Sequence, residues 1–213
     1  MGNLVWYLAY GSNLASSRFN CYITGGMPAG SGSDYKGCLD TTLPKETKNA
    51  VISHTLYFAK NSKTWQQGGV AFITPSETDS KTYARLYLIT KEQLADIAMQ
   101  ETNSNERPEL DFDFAERNGR HIFKSPSWYG LLLYLGEDSG MPIFTLTSTV
   151  QIEPKVKPSR EYLATIMKGL IESHSLTLGQ VYNYLSDKAG IGENYKHHEL
   201  YDIVHNRYDP ASE

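Results

Sequence analysis

Cysteine is nearly absent. The chain has two, Cys21 and Cys38, among 213 residues. Two are too few for the disulfide framework of a small secreted domain, and their spacing is not the CxxC of a redox pair. Both read as reduced thiols, so a cytoplasmic location is expected. Long apolar runs are missing too: none reaches the roughly 20 residues that span a bilayer, and no membrane partner is expected. The apolar stretch near the start has no basic leader and is too short for a signal peptide. Nor does one sign of charge prevail. Twenty Lys and Arg face 24 Asp and Glu, a formal net charge of −4, which calls for no nucleic acid and no acidic surface. No repeat of solenoid length is visible. Residues 25–37 are rich in Gly, Ser and Pro and read as a mobile surface loop. They lack the Gly-Lys-Ser/Thr signature of a phosphate loop.

What remains is an ordinary globular composition, 40% hydrophobic and 21% charged, long enough for one domain or at most two small ones. Fifteen Tyr and three Trp favour strands and flat ligand-facing walls. Strand-like pieces cover 51–59, 68–73 (entered through Gly68-Gly69), 83–89, 112–114, 121–123, 128–135 and 143–152. Many strands with few helices between them predict an α+β chain built on a largely antiparallel sheet or barrel, not a doubly wound one.

The stretch Val5-Trp6-Tyr7-Leu8-Ala9-Tyr10-Gly11-Ser12-Asn13-Leu14 organises the rest. Its unbroken apolar and aromatic run suits a strand buried on both faces. Gly11 ends it, and Ser12 and Asn13 are good N-cap residues for a short helix through Leu14, Ala15, Arg18 and Phe19. A buried strand that feeds a glycine turn and a helix start aims free backbone N–H groups at one spot, suited to an anion or a developing oxyanion. A plain turn after a core strand would look the same.

Three helices follow from their caps and periodicity. After Thr90, with Gln93 completing a capping box, Leu94, Ile97 and Ala98 form an apolar stripe that lands next on Glu101. A carboxylate on that inward face is costly unless paired or protonated. Its pKa is expected to rise toward the range useful for proton transfer. A helix that has already ended would instead turn Glu101 to water. The second helix starts at Ser159 after Pro158, with Tyr162 in its first turn and Leu163, Ile166, Met167 and Leu170 behind it. The third starts near Thr177 with a second capping box at Gln180, forming a helical hairpin over the sheet. Farther on, His198, Asp202 and His205 would share a helix face, as metal ligands sometimes do. The HExxH spacing is absent and a solvated terminal helix accounts for them, so no metal is expected.

Tyr10-Gly11-Ser12-Asn13-Leu14 resembles the signature of the gamma-glutamylcyclotransferase family, within the AIG2-like superfamily. Further segments fall in that family's order. Trp65-Gln66-Gln67-Gly68-Gly69-Val70-Ala71 resembles its Trp, paired-Gly and Ala segment, and 83–89 the strand that follows. Ile97-Ala98-Met99-Gln100-Glu101 resembles the helix end that bears its catalytic glutamate. Pro158-Ser159-Arg160-Glu161-Tyr162 resembles the later helix start whose tyrosine faces the substrate. The ordered set spans about 4–185.

The resemblance implies a small mixed, mostly antiparallel β-barrel with flanking helices over 1–186, followed by a polar C-terminal extension over 187–213. It implies attack of a substrate's α-amino group on its own γ-carbonyl, releasing 5-oxoproline from a small γ-glutamyl compound. Glu101 would be the acid/base. Tyr7, Leu8, Ala9, Tyr10, Gly11, Ser12, Asn13 and Tyr162 would bind substrate, and no cofactor is needed. A homodimer is compatible with it. The alternative is a catalytically inactive relative that binds a small ligand or a protein partner through the same cavity. Four departures stand out: Thr102 where the family has glycine, a longer Gly-rich segment, a very polar 103–120, and an unmatched tail from 187 onward. They bear on the released group more than on the core chemistry.

Overall fold

Strand β1, Leu4–Ala9, lies inside the sheet. It pairs antiparallel with β5 (Thr82–Thr90) on one side and parallel with β8 (Met141–Thr147) on the other. The computed structural model describes residues 2–28 and 34–206. Successive side chains of a strand point to opposite faces, and both faces of β1 are apolar. Val5, Tyr7 and Ala9 enter one core with Phe19, Ile23, Leu94, Ile97 and Ala98, while Trp6 and Leu8 enter the other with Leu163, Ile166 and Leu170. This is why β1 reads as a continuous apolar run.

Six strands form the main sheet in the order β2-β5-β1-β8-β7-β6, with β2 at Thr47–Ile52, β6 at Arg120–Ile122 and β7 at Leu131–Asp138. Its two edge strands do not pair, so the expected barrel is corrected to an open mixed sheet. Closure needs a continuous ladder around the ring, and a three-residue edge strand at one end and a half-exposed one at the other do not supply it. Strands β3 (Leu56–Ser62) and β4 (Gly68–Ile73) make a separate antiparallel pair. The stretch read as one strand over 51–59 is therefore two, split where His54 Nδ1 and the Thr55 N–H turn onto Thr74.

Helices α1 (Ser16–Thr24), α2 (Lys91–Glu101) and α3 (Phe112–Asn118) cover one face of the sheet. The other face is covered by β3 and β4 with α4 (Arg160–His174), α5 (Leu178–Ser186) and α6 (His197–Asn206). The capping boxes at Thr90 and Thr177 both form, and Ser159 caps α4. The alternation at 112–114 is a helix start: Asp111 Oδ1 accepts from the Phe114 N–H and caps α3. Residues 187–206 stay attached to the core. Leu200, Ile203 and Val204 of α6 are buried with α4 and α5, and the Ala189 carbonyl accepts from the Phe58 N–H at 2.9 Å. Of the glycine-rich 25–37, residues 29–33 lie outside the described set, as does the chain after Asn206. Among the described residues, no helix is long and apolar enough to cross a membrane.

Candidate active site

The chain leaves β1 at Ala9 and bends through Tyr10 and Gly11 into a 3-10 turn, Ser12–Leu14. The turn closes by Leu14 N–H to Gly11 O at 3.0 Å and Ala15 N–H to Ser12 O at 3.2 Å, so the amides ahead of Leu14 have no partner within it. Ser12 and Asn13 are not caps: Gly11 precedes the turn, Ala15 precedes α1, and neither start has a side-chain cap. Their side chains serve the cavity instead. Ser12 Oγ accepts from Arg18 Nε at 2.9 Å. The turn is clamped from outside. Tyr87 donates to Asn13 O at 2.8 Å, and Arg85 Nη1 donates to Leu14 O at 3.2 Å and to Glu172 at 2.6 Å.

Gly11 has a negative φ, and the space beside it is tight. A Cβ would stand 3.1 Å from Ala71 Cβ and 3.2 Å from the Tyr162 hydroxyl. Tyr162 reaches that spot because of a second close approach. Cβ atoms on Gly68 and Gly69 would fall 2.4 Å from Ser159 N and 2.2 Å from Val156 O. Only the bare backbone of β4 lets 156–159 lie against it and aim the first turn of α4. Tyr162 is buried and its oxygen accepts from the Ala71 N–H at 3.0 Å. Burial pushes its hydroxyl up to about 12, against the Ala71 hydrogen bond and the Arg18 charge, so it is a donor at neutral pH.

Glu101 is the last residue of α2, one turn beyond the buried Ile97 and Ala98. It does face inward. Desolvation raises its carboxyl above the ordinary 4.5, opposed by hydrogen bonding from Tyr22, the Arg18 charge and hydrogen bonding from Asn13. Thr102, which stands where the resembled family has glycine, has φ −97° and ψ 5°. That conformation needs no glycine, and the left-handed step falls on Asn103 at φ 46°. The polar segment that follows is fastened down by Arg107, whose Nε and Nη2 donate to the buried Asp96 at 2.6 and 2.8 Å. Asp96 also accepts from the Leu39 N–H.

These pieces meet in one cavity of about 490 Å³. Tyr7, Ala9, Tyr10, Gly11, Ser12, Asn13, Glu101 and Tyr162 all line it. Leu8 does not. Its side chain points to the opposite face and is buried in the α4 and α5 core, as the alternation of a strand requires. Only its carbonyl is engaged, by Thr145 Oγ1 at 2.7 Å.

Sequence reading missed Arg18 and the aromatic walls Tyr22, Tyr35 and Tyr129. Arg18 is 4% exposed, donates to Tyr35 and lies over the Trp65, Tyr35 and Tyr22 rings at 4.8, 5.2 and 6.0 Å. The available signal was spacing: Arg18 and Tyr22 stand four residues apart on α1, which sets a charge beside an aromatic ring on one helix face. Among the described residues no three His, Cys, Asp or Glu side chains are grouped to hold a metal ion. His198 and Asp202 are exposed on α6, and the His205 ring stacks on Tyr201 with centroids 3.8 Å apart.

No family model matches the chain. Histone deacetylase 5 of Arabidopsis thaliana is 35% identical over 202 residues, covering 87% of this chain. The chain spans only 30% of that relative's length. A solved gamma-glutamyl cyclotransferase superposes with a TM-score of 0.52 at 18% identity, over 94% of this chain and 98% of its own. An uncharacterized human protein superposes with a TM-score of 0.51 at 17% identity, over 95% and 99%.

Proposed function

From the premise that this chain has the gamma-glutamyl cyclotransferase-like fold, we propose that it cyclises a γ-glutamyl compound and releases 5-oxoproline. One observation carries the reading: the Glu101 carboxylate and the Gly11–Asn13 bend line the same cavity. The substrate's α-nitrogen forms a bond to its own γ-carbon. The carbonyl oxygen takes up the charge, beside the turn amides and the Tyr162 hydroxyl, where preorganised donors stabilise it most. Glu101 takes a proton from the attacking nitrogen and returns it to the leaving nitrogen as the γ-carbon–nitrogen bond breaks. The products are 5-oxoproline and a free amine, with atoms and charge conserved and no second reactant consumed. The nucleophile is tethered to its target, so the walls need only hold the folded-back conformer. A carboxyl held above its ordinary range by burial is suited to both proton transfers.

The plant relative is a much longer protein, of which this chain spans 30%. The test is incubation with γ-glutamyl dipeptides, glutathione and γ-glutamyl-ε-lysine, with 5-oxoproline quantified. Release from at least one class is expected. No release from any, by folded protein that still binds them, would favour the catalytically inactive relative.

A further inference from the structure

The bend that carries Ser12 and Asn13 is held by side chains from outside the cavity. Between the 3-10 turn and α1 the backbone is extended at Ala15. This break takes the carbonyls of Asn13 and Leu14 out of both helices. Tyr87 donates to the first at 2.8 Å, and Arg85 Nη1 donates to the second at 3.2 Å. Both donors are fixed in turn. The Tyr87 ring is buried and stacks on Phe19 with centroids 3.8 Å apart. Arg85 Nη1 also donates to Glu172 of α4 at 2.6 Å. Glu172 accepts from the Ser16 N–H at 3.3 Å and from the Ser16 hydroxyl. It thereby supplies a carboxylate to the start of α1, which has no side-chain cap of its own. Burial raises the Glu172 carboxyl, but hydrogen bonds from Ser16 and Arg85 outweigh it and hold it below the ordinary 4.5. Helix α4 comes this close because Gly169 lacks a Cβ: one there would stand 2.4 Å from Leu14 Cβ and 2.5 Å from Ala15 N. None of Arg85, Tyr87 and Glu172 is among the residues that line the cavity.

A trans peptide is planar, so its C=O and N–H point opposite ways and turn together. The Asn13 carbonyl therefore directs the Leu14 N–H, which donates to Gly11 O at 3.0 Å, and the Gly11 carbonyl directs the Ser12 N–H. In the same way the Leu14 carbonyl directs the Ala15 N–H, which donates to Ser12 O at 3.2 Å, and the Ser12 carbonyl directs the Asn13 N–H. Two relays thus run through the bend. Each ends on an amide that the turn itself leaves unpaired. Consecutive hydrogen bonds polarise one another, so an outside donor strengthens the amide at the far end, a charged donor most of all. We propose that Tyr87 and the Glu172-held Arg85 are positioning residues for the oxyanion, Tyr87 aiming the Ser12 amide and Arg85 the Asn13 amide. This inference rests on the cyclotransferase reading and adds to it residues that touch no substrate. The charge develops only as the tetrahedral state forms, so a misaimed or weakened amide is felt there and not in the ground state. Loss of either relay lowers kcat and leaves KM in place.

The experiment measures two things in wild type, Tyr87→Phe, Arg85→Gln and Arg85→Lys. One is kcat and KM for 5-oxoproline release from the γ-glutamyl compound that wild type uses best. The other is the backbone amide proton shift of Ser12, Asn13, Leu14 and Ala15 by NMR. Tyr87→Phe and Arg85→Gln are each expected to lower kcat by about 10-fold with KM held within about 2-fold, less than the roughly 100-fold that an oxyanion donor removed outright costs. Arg85→Lys, which keeps the charge, recovers part of the loss. Tyr87→Phe moves the Leu14 and Ser12 amide protons upfield, and Arg85→Gln those of Ala15 and Asn13, each sparing the other pair. Circular dichroism checks each fold, and Tyr87→Phe with Arg85→Lys carries the test if Arg85→Gln does not fold. A lower melting temperature with kcat unchanged overturns the inference, since the clamp would then serve stability alone, and the cyclotransferase reading would stand. So does a loss expressed in KM and not in kcat, or amide shifts spread alike over both pairs. If wild type releases no 5-oxoproline, the cyclotransferase reading fails and the catalytic role with it. The two relays as such are then kept or struck by the amide shifts.

Discussion

Helix α2 has Glu101 as its last residue, and helix α6 carries His198, Asp202 and His205 along its length. In the sequence α6 looks the richer in chemistry. In the structure Glu101 faces a shared cavity and burial shifts its carboxyl upward. The α6 groups lie on or near the outside, with Leu200, Ile203 and Val204 packed beneath them. Titratable side chains face a cavity in one place and the outside in the other. What separates them is which face the apolar stripe of each helix turns inward, not how many titratable side chains it carries.

The largest test of that contrast is Glu101→Gln, expected to lower kcat/KM for 5-oxoproline release by about 1000-fold, within the usual span of general acid–base catalysis, with circular dichroism unchanged. It should also raise the melting temperature near neutral pH. A carboxyl whose folded pKa is raised binds more protons folded than unfolded above pH 4.5, so stability falls as pH rises through that window. Next is Asp96→Ala, which leaves Arg107 without its carboxylate and frees 103–110. Denaturant unfolding should show a loss of about 3 kcal/mol, at the low end for a broken buried pair because Arg107 is 35% exposed. Tyr162→Phe strips the Ala71 N–H of its acceptor and should slow turnover by about 10-fold. Last, combined alanine substitution of His198, Asp202 and His205 should leave turnover within about 2-fold, as exposed changes away from a site do. A large loss there would break the contrast.

Much of the site was legible because its signals are local. Capping boxes at Thr90 and Thr177, the end of an apolar run at Gly11, and a stripe continuing to Glu101 each depend on residues within a turn or two. Strand order was not legible, since β1 meets β8 across more than 130 residues and no local pattern encodes that pairing. Hence many strands suggested closure where the sheet stays open. Leu8 was misplaced because a run apolar on both faces hides its alternation. Asp111, which starts α3, was overlooked beside the alternating Phe112 and Phe114. Arg18 went unread because its partners, Trp65 and Tyr35, come from other segments.

The most direct measurement is kcat/KM for 5-oxoproline release by the wild-type protein from about pH 4 to pH 8. The account predicts an acid limb in which rate falls as Glu101 takes up its proton, with an apparent pKa above the ordinary 4.5. A profile with no acid limb, or a limb that survives at full rate in Glu101→Gln, would contradict it.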